Sequence, residues 1–160
     1  MLSCSIRKNY KTTGMELLTS VICDSASDYN GKLCILGAFD TLWSIKYPNQ
    51  HPHCTLALRF LFNESDQGKH QFKVVFVNAD GKELLPKGPL EFGIQIGPMP
   101  DKQYFMSRNL TLNMQGLPIP EPGQYSFDIY WNADILASIP LQAVQARAPK
   151  PRGKPPMLDT

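Results

Sequence analysis

The sequence predicts a single all-β domain, an antiparallel two-sheet β-sandwich of immunoglobulin-like or Greek-key type with eight or nine strands. Three observations lead there. Apolar and polar residues alternate at period two through many short runs. The 14 prolines and 11 glycines are spread along the chain and separate those runs. No stretch carries convincing helical periodicity. Charged residues make up only 19% of the chain, few for helices that need polar outer faces, while 42% hydrophobic residues in 160 suffice for a real core.

The elements follow in order. Residues 1–14 hold Arg7, Lys8 and Lys11 and no acid, and are expected to form a mobile basic extension ahead of Met15, the expected start. Residues 16–24 and 32–45 read as two strands joined through Asp28-Tyr29-Asn30-Gly31. Asn-Gly between apolar runs is a strong hairpin signal because both residues tolerate positive φ. The second run is apolar on both parities, so it either bends at Gly37 or crosses from one sheet to the other.

From Cys54 to Phe62 the alternation is clean: Leu56, Leu58 and Phe60 point one way, Thr55, Ala57 and Arg59 the other. His70–Asn78 puts Phe72, Val74 and Phe76 on one face, and Asp80-Gly81 turns into a short run at Lys82–Leu85. Leu90, Phe92, Ile94 and Ile96 alternate inward, and Gly97-Pro98 stops that strand. Tyr104–Gln115 continues with Leu110, Leu112 and Met114 on one face. Tyr125, Phe127, Ile129 and Trp131 form the clearest pattern, followed after a turn by Ile135, Ala137, Ile139 and Leu141. Gly123-x-Tyr125 at a strand start resembles a tyrosine corner, with the hydroxyl expected to bond the backbone near Leu117–Ile119. The sandwich thus occupies residues 15–146. Residues 147–160, rich in proline and basic side chains, read as a disordered tail whose polyproline character could serve a partner.

Charge and composition exclude several functions. The body between the two basic ends carries nine basic and thirteen acidic residues. That sign opposes phosphate backbones, so no nucleic acid is expected on the folded domain. No apolar stretch approaches the ~20 residues of a membrane helix, and no membrane contact is expected. The amino terminus lacks the apolar region of a secretory signal. Cys4, Cys23, Cys34 and Cys54 show no paired-ligand spacing, and a reducing cytoplasm is the expected home.

Chemistry-bearing residues are sparse. His51, His53 and Cys54 are the nearest approach to a zinc set, with His70 the only other histidine. The plainer reading is a loop entering a strand at Cys54. Asp24, Asp28 and Asn30 before Gly31 loosely resemble calcium-loop donors, but Ala26 occupies a donor position and no distal Glu follows. There is no Gly-x-Ser-x-Gly elbow, no phosphate loop and no evident acid–base pair. No catalytic residue and no cofactor are therefore expected.

Leu17–Leu42 carries a resemblance. Cys23-Asp24, Asn30-Gly31-Lys32 and Ile35-x-Gly37-x-Phe39-Asp40 are similar to the opening of a family of uncharacterised bacterial proteins, a domain of unknown function. The likeness continues through Pro48, Leu56–Phe60, Asp80-Gly81 and Pro122-Gly123-x-Tyr125, over about residues 15–146. It implies a small β-sandwich and brings no established activity, ligand or catalytic residue.

Val75 and Val77, and Leu36, Ala38 and Leu42, leave apolar side chains on nominally outer faces. The expected function is non-enzymatic binding or assembly, with a protein partner or a homodimer. The alternatives are a small-ligand, carbohydrate or metal-binding domain that uses end loops with Trp43 or Trp131, and a hydrolytic enzyme.

Overall fold

The structure, a computed structural model, describes residues 14–148. Residues 1–13, with Cys4, and the polyproline stretch from 149 onward lie outside the described residues. Among the described residues nine strands run in chain order: β1 (Glu16–Tyr29), β2 (Lys32–Ala38), β3 (Thr41–Ser44), β4 (Asn49–Phe62), β5 (Gly68–Asn78), β6 (Leu90–Ile96), β7 (Met106–Ile119), β8 (Gly123–Trp131) and β9 (Asp134–Gln145). One 3-10 turn at Glu64–Asp66 is the sole helical element among the described residues.

The strands form two sheets, ordered β2-β1-β4-β7 and β3-β9-β8-β5-β6. Alternation explains which side chains meet. On the first sheet Leu56, Leu58, Phe60 and Phe62 are fully buried, and on the second Phe76, Phe127 and Ile129 are too. All of them belong to one hydrophobic cluster. Phe60 and Phe72, one from each sheet, stand 4.7 Å apart, and Phe76 stacks on Phe127 at 4.6 Å. Each such burial stabilises the fold by roughly 1.5–3 kcal/mol before entropy is set against it.

Several strands depart from the alternation pattern for local reasons. The expected hairpin turn forms at Asn30 (φ 51) and Gly31 (φ 77), but β1 runs on to Tyr29. The long apolar run after it divides and changes sheet. The Phe39 amide makes the last bond to the first sheet, to the Ile22 carbonyl, and the Asp40 carbonyl accepts from Gln142 in the second. From there β3 pairs with β9 in parallel, so the expected purely antiparallel arrangement is corrected at this edge. The switch of sheet delivers β3 beside β9 already pointing the same way.

β4 begins at Asn49 rather than Cys54, so His51, Pro52 and His53 lie in a strand and not in an entry loop. The thirteen register pairs with β7 on its other side extend the pairing that far. The strand expected from Tyr104 starts at Met106, and Lys82–Leu85 makes only a bridge, Val77 to Glu83. Ile135 is 58% exposed rather than inward. The register shifts by one between Ile129 and Tyr130, Leu136 is the extra residue, and Ile135 is turned to the other face. Tyr125 does bond back to the upstream backbone, but at the Glu121 carbonyl, 2.6 Å away, and not at Leu117–Ile119. Leu117 and Ile119 are instead buried in the cluster.

Candidate functional site

The part of the β1–β2 hairpin beyond Cys23 forms an arm. Up to Cys23, β1 lies beside β4, with Thr19 facing Arg59 and Cys23 facing Thr55. A straight continuation would carry the tip past the start of β4. Instead the tip returns to Arg59, whose guanidinium donates to the Gly31 carbonyl at 3.0 Å and to Asn109 Oδ1 at 2.6 Å. Asn109 Nδ2 in turn donates to Asp28 Oδ2 at 2.7 Å. The arm therefore doubles back across the outer face of the first sheet, from β1 over β4 to β7.

This explains the burial that alternation does not. Thr55, Ala57 and Cys23 point away from the main cluster, yet each is 0% exposed, because the arm covers them. Thr55 Oγ1 donates to Asn113 Oδ1 at 2.7 Å, and the Cys23 thiol donates to the Thr55 carbonyl at 3.3 Å. Burial raises the Cys23 pKa, opposed by its bond to the Ser25 backbone.

The bend sits where Asp24 meets Gly37. Pairing of β1 with β2 is regular from Ser25–Leu36 to the tip, and resumes at Cys23–Ala38. Between them Gly37 has φ 66, and a Cβ there would lie 2.3 Å from Asp24 Oδ2. Only glycine leaves the carboxylate that space.

The candidate ligands do not converge. Asp28, expected as a calcium donor, spends both oxygens inside the arm: Oδ1 accepts the Gly31 amide at 2.9 Å and Oδ2 accepts Asn109. Those two bonds hold its carboxyl below the ordinary aspartate range. Asn30 is a turn residue at positive φ and Asp24 lies over Gly37. His51 is half-buried with its ring 5.4 Å from Phe39, and its Nε2 has no hydrogen-bond partner among the described residues. Burial lowers its pKa, opposed by the His53 backbone and by Asp24. His53 is exposed, whereas Cys54 is buried in the main cluster with its thiol pushed up to about 12 by burial. Among the described residues no three of the histidine, cysteine, aspartate and glutamate side chains are grouped to hold a metal ion.

His70 packs between Phe62 and Trp131, with Nε2 2.7 Å from the Asp66 carbonyl oxygen. That places Trp131 within the structural packing, half-buried, while Trp43 stands 69% exposed on the edge strand β3. The two tryptophans stand apart in that sheet, Trp131 opposite Asp134 and Trp43 beside Val144. A cleft of about 400 Å³ beside β7 is lined by Leu85, Leu90, Met114, Leu117 and Pro118, with Lys87 as its one charged group. A gap of about 330 Å³ remains under the arm, between Thr19 and Arg59 on the sheet and Leu33 and Ile35 on the arm. Neither lining holds an acid, a histidine or a cysteine.

Exposed apolar side chains occur on the arm as well as at Tyr104, Trp43 and Ile135. Leu36 is 70% and Tyr29 64% exposed, on the same solvent side as Cys34. The expectation of apolar residues on outer faces thus resolves differently at each place. Val75 is buried within the second sheet, Leu42 packs against the cluster, and Leu36 is open.

A two-sheet all-β domain with a folded-back hairpin arm is the class these observations define. Residues 18–144 match the family of unknown function DUF6941, and the chain belongs to that family. No curated protein matches it.

Proposed function

We propose that this domain is an immunoglobulin-like β-sandwich acting as a non-enzymatic binding or assembly module. The topology supports the first part. Order β3-β9-β8-β5-β6 with a parallel first pair, a tyrosine corner opening β8, and β1-β4-β7 opposite match the immunoglobulin arrangement with β2 inserted. Stacked Phe76 and Phe127 occupy the centre where antibody domains carry a disulfide and a tryptophan.

The observation that carries the binding role is the placement of exposed apolar residues. Leu36 and Tyr29 are both exposed on the solvent side of the arm, while the cleft beside β7 and the gap under the arm hold no acid, histidine or cysteine. A reducing compartment, the cytoplasm, fits the exposed free thiol of Cys34. The apolar cleft beside β7 favours a second reading, an apolar small ligand held between the sheets.

A photo-reactive amino acid placed at Leu36, with one at exposed Gln95 on β6 as control, tests the binding role in cells. Protein adducts at position 36 and none at 95 are expected. No adduct at 36 overturns the reading.

A further inference from the structure

The gap of about 330 Å³ under the arm is lined by two cations, Arg59 from β4 and Lys32 from the arm, and by no carboxylate. That runs against the domain as a whole, whose body carries nine basic and thirteen acidic residues. In the cleft beside β5 and β6, by contrast, Lys73 stands opposite Glu91. Glu16 on β1 and Asp28 on the arm do not line the gap, and Asp28 has both oxygens spent on Gly31 and Asn109. Two like charges around one small opening give it a positive potential that attracts anions.

The bonds of Arg59 leave its gripping side open. Both Nη1 hydrogens are spent, on the Gly31 carbonyl and on Asn109 Oδ1. The Nε–H and Nη2–H donors bond to no described residue. Together they form a side of the guanidinium fork that takes a carboxylate or phosphate in two parallel bonds. The Nη1 bonds also hold the guanidinium in place, so binding orders little that is not already ordered. Thr19 faces Arg59 across β1 and β4, and neither its hydroxyl nor the Lys32 ammonium has a described partner. The arm side of the gap is apolar, with half-buried Leu33 and Ile35 turned away from exposed Cys34 and Leu36. The volume lies at the low end for small-molecule sites and exceeds what a bare oxyanion fills.

We propose that the gap under the arm binds a small organic anion, its carboxylate or phosphate held by Arg59, Thr19 and Lys32 and its apolar body set against Leu33 and Ile35. Lys32 belongs to the arm and Arg59 and Thr19 to the sheet, so the anion ties one to the other. The site goes beyond the binding role proposed above and uses neither Leu36 nor Tyr29.

Titration of the full chain, followed by backbone-amide and arginine Nε–H resonances at constant ionic strength, tests this. The probes are benzoate, phenyl phosphate, inorganic phosphate and uncharged benzamide. Benzoate or phenyl phosphate should saturate and shift Thr19, Gly31, Leu33 and the Arg59 Nε–H, and benzamide should not. Lys32→Gln, at an exposed position outside the Arg59–Asn109–Asp28 bonds, should raise the dissociation constant about threefold. Arg59→Lys keeps the charge without the fork and should raise it about tenfold. The arm covers Cys23, so thiol labelling of Cys23 in a Cys4→Ser, Cys34→Ser background reads arm opening. Anion at about ten times its dissociation constant should slow that labelling about tenfold. No saturation by benzoate or phenyl phosphate up to about 20 mM overturns the inference. So does binding of benzamide or inorganic phosphate as tight as that of the organic anions, or affinity indifferent to both substitutions. Unchanged Cys23 labelling at saturation overturns the tie between arm and sheet. Protein adducts at position 36 are untouched by failure here, and their absence leaves this titration standing.

Discussion

Gly37→Ala should destabilise the protein by about 2 kcal/mol, and the figure can be built from the bend. An alanine at φ 66 bears the left-handed penalty of roughly 1–2 kcal/mol. Its Cβ would also meet Asp24 Oδ2 at 2.3 Å and Cγ at 3.0 Å, so the carboxylate must leave its place over β2. That displacement adds about 1 kcal/mol, comparable to an off-rotamer side chain. Against these, alanine restricts the unfolded chain and returns about 0.4–1 kcal/mol. Gly31→Ala in the same arm is the control: φ is 77 but nothing lies within 4 Å of the added Cβ. It should cost about 1 kcal/mol. Asp24→Ala combined with Gly37→Ala should bring the cost down to that of Gly31→Ala, since the crowding carboxylate is gone. Equilibrium urea unfolding at constant slope reads the differences, and amide exchange over residues 25–36 reports whether the arm itself loosens. If Gly37→Ala proves neutral, or matches Gly31→Ala before Asp24 is changed, the tight bend that folds the arm back is not as described.

Other outcomes follow from the same contacts. Tyr125→Phe removes the 2.6 Å bond to the Glu121 carbonyl and should cost about 1 kcal/mol in urea unfolding. Thiol labelling at pH 8 should modify Cys34 quickly, whereas Cys54, buried with a pKa near 12, reacts only on the timescale of unfolding. Asp28 is held low by Gly31 and Asn109, so its contribution is present above the unfolded aspartate range and is lost as pH falls through its lower folded value. The arm should accordingly stay protected at pH 5 and loosen only in strong acid, which Gly31 amide exchange would detect. Loosening between pH 5 and 7 would contradict that latch.

Much of the fold was legible because period-two alternation reports directly on which face of a strand is dry. Spacing alone turns Phe127 and Ile129 inward and puts Leu56 and Leu58 on one common face, and Asn30-Gly31 announces its own turn. Ile135 was misassigned because one extra residue, Leu136, inverts parity without leaving a mark in composition. The candidate site was far less legible. Thr55 and Ala57 looked like outward positions, and their small uncharged character was the available hint of a covering layer. Arg59 and Asn109 gave no signal, because their roles depend on a tip that reaches them from 28 and 81 residues away in the chain.

Local chemistry determined the strands, the turns and the bend at Gly37, since each depends on neighbours within a few residues. Tertiary structure alone decided that the first hairpin lies back over its own sheet, that β3 joins β9 in parallel, and that β2 is left with an open edge. Those outcomes depend on which surfaces meet after the chain has folded, and side-chain periodicity carries no record of what lies beyond the strand it describes.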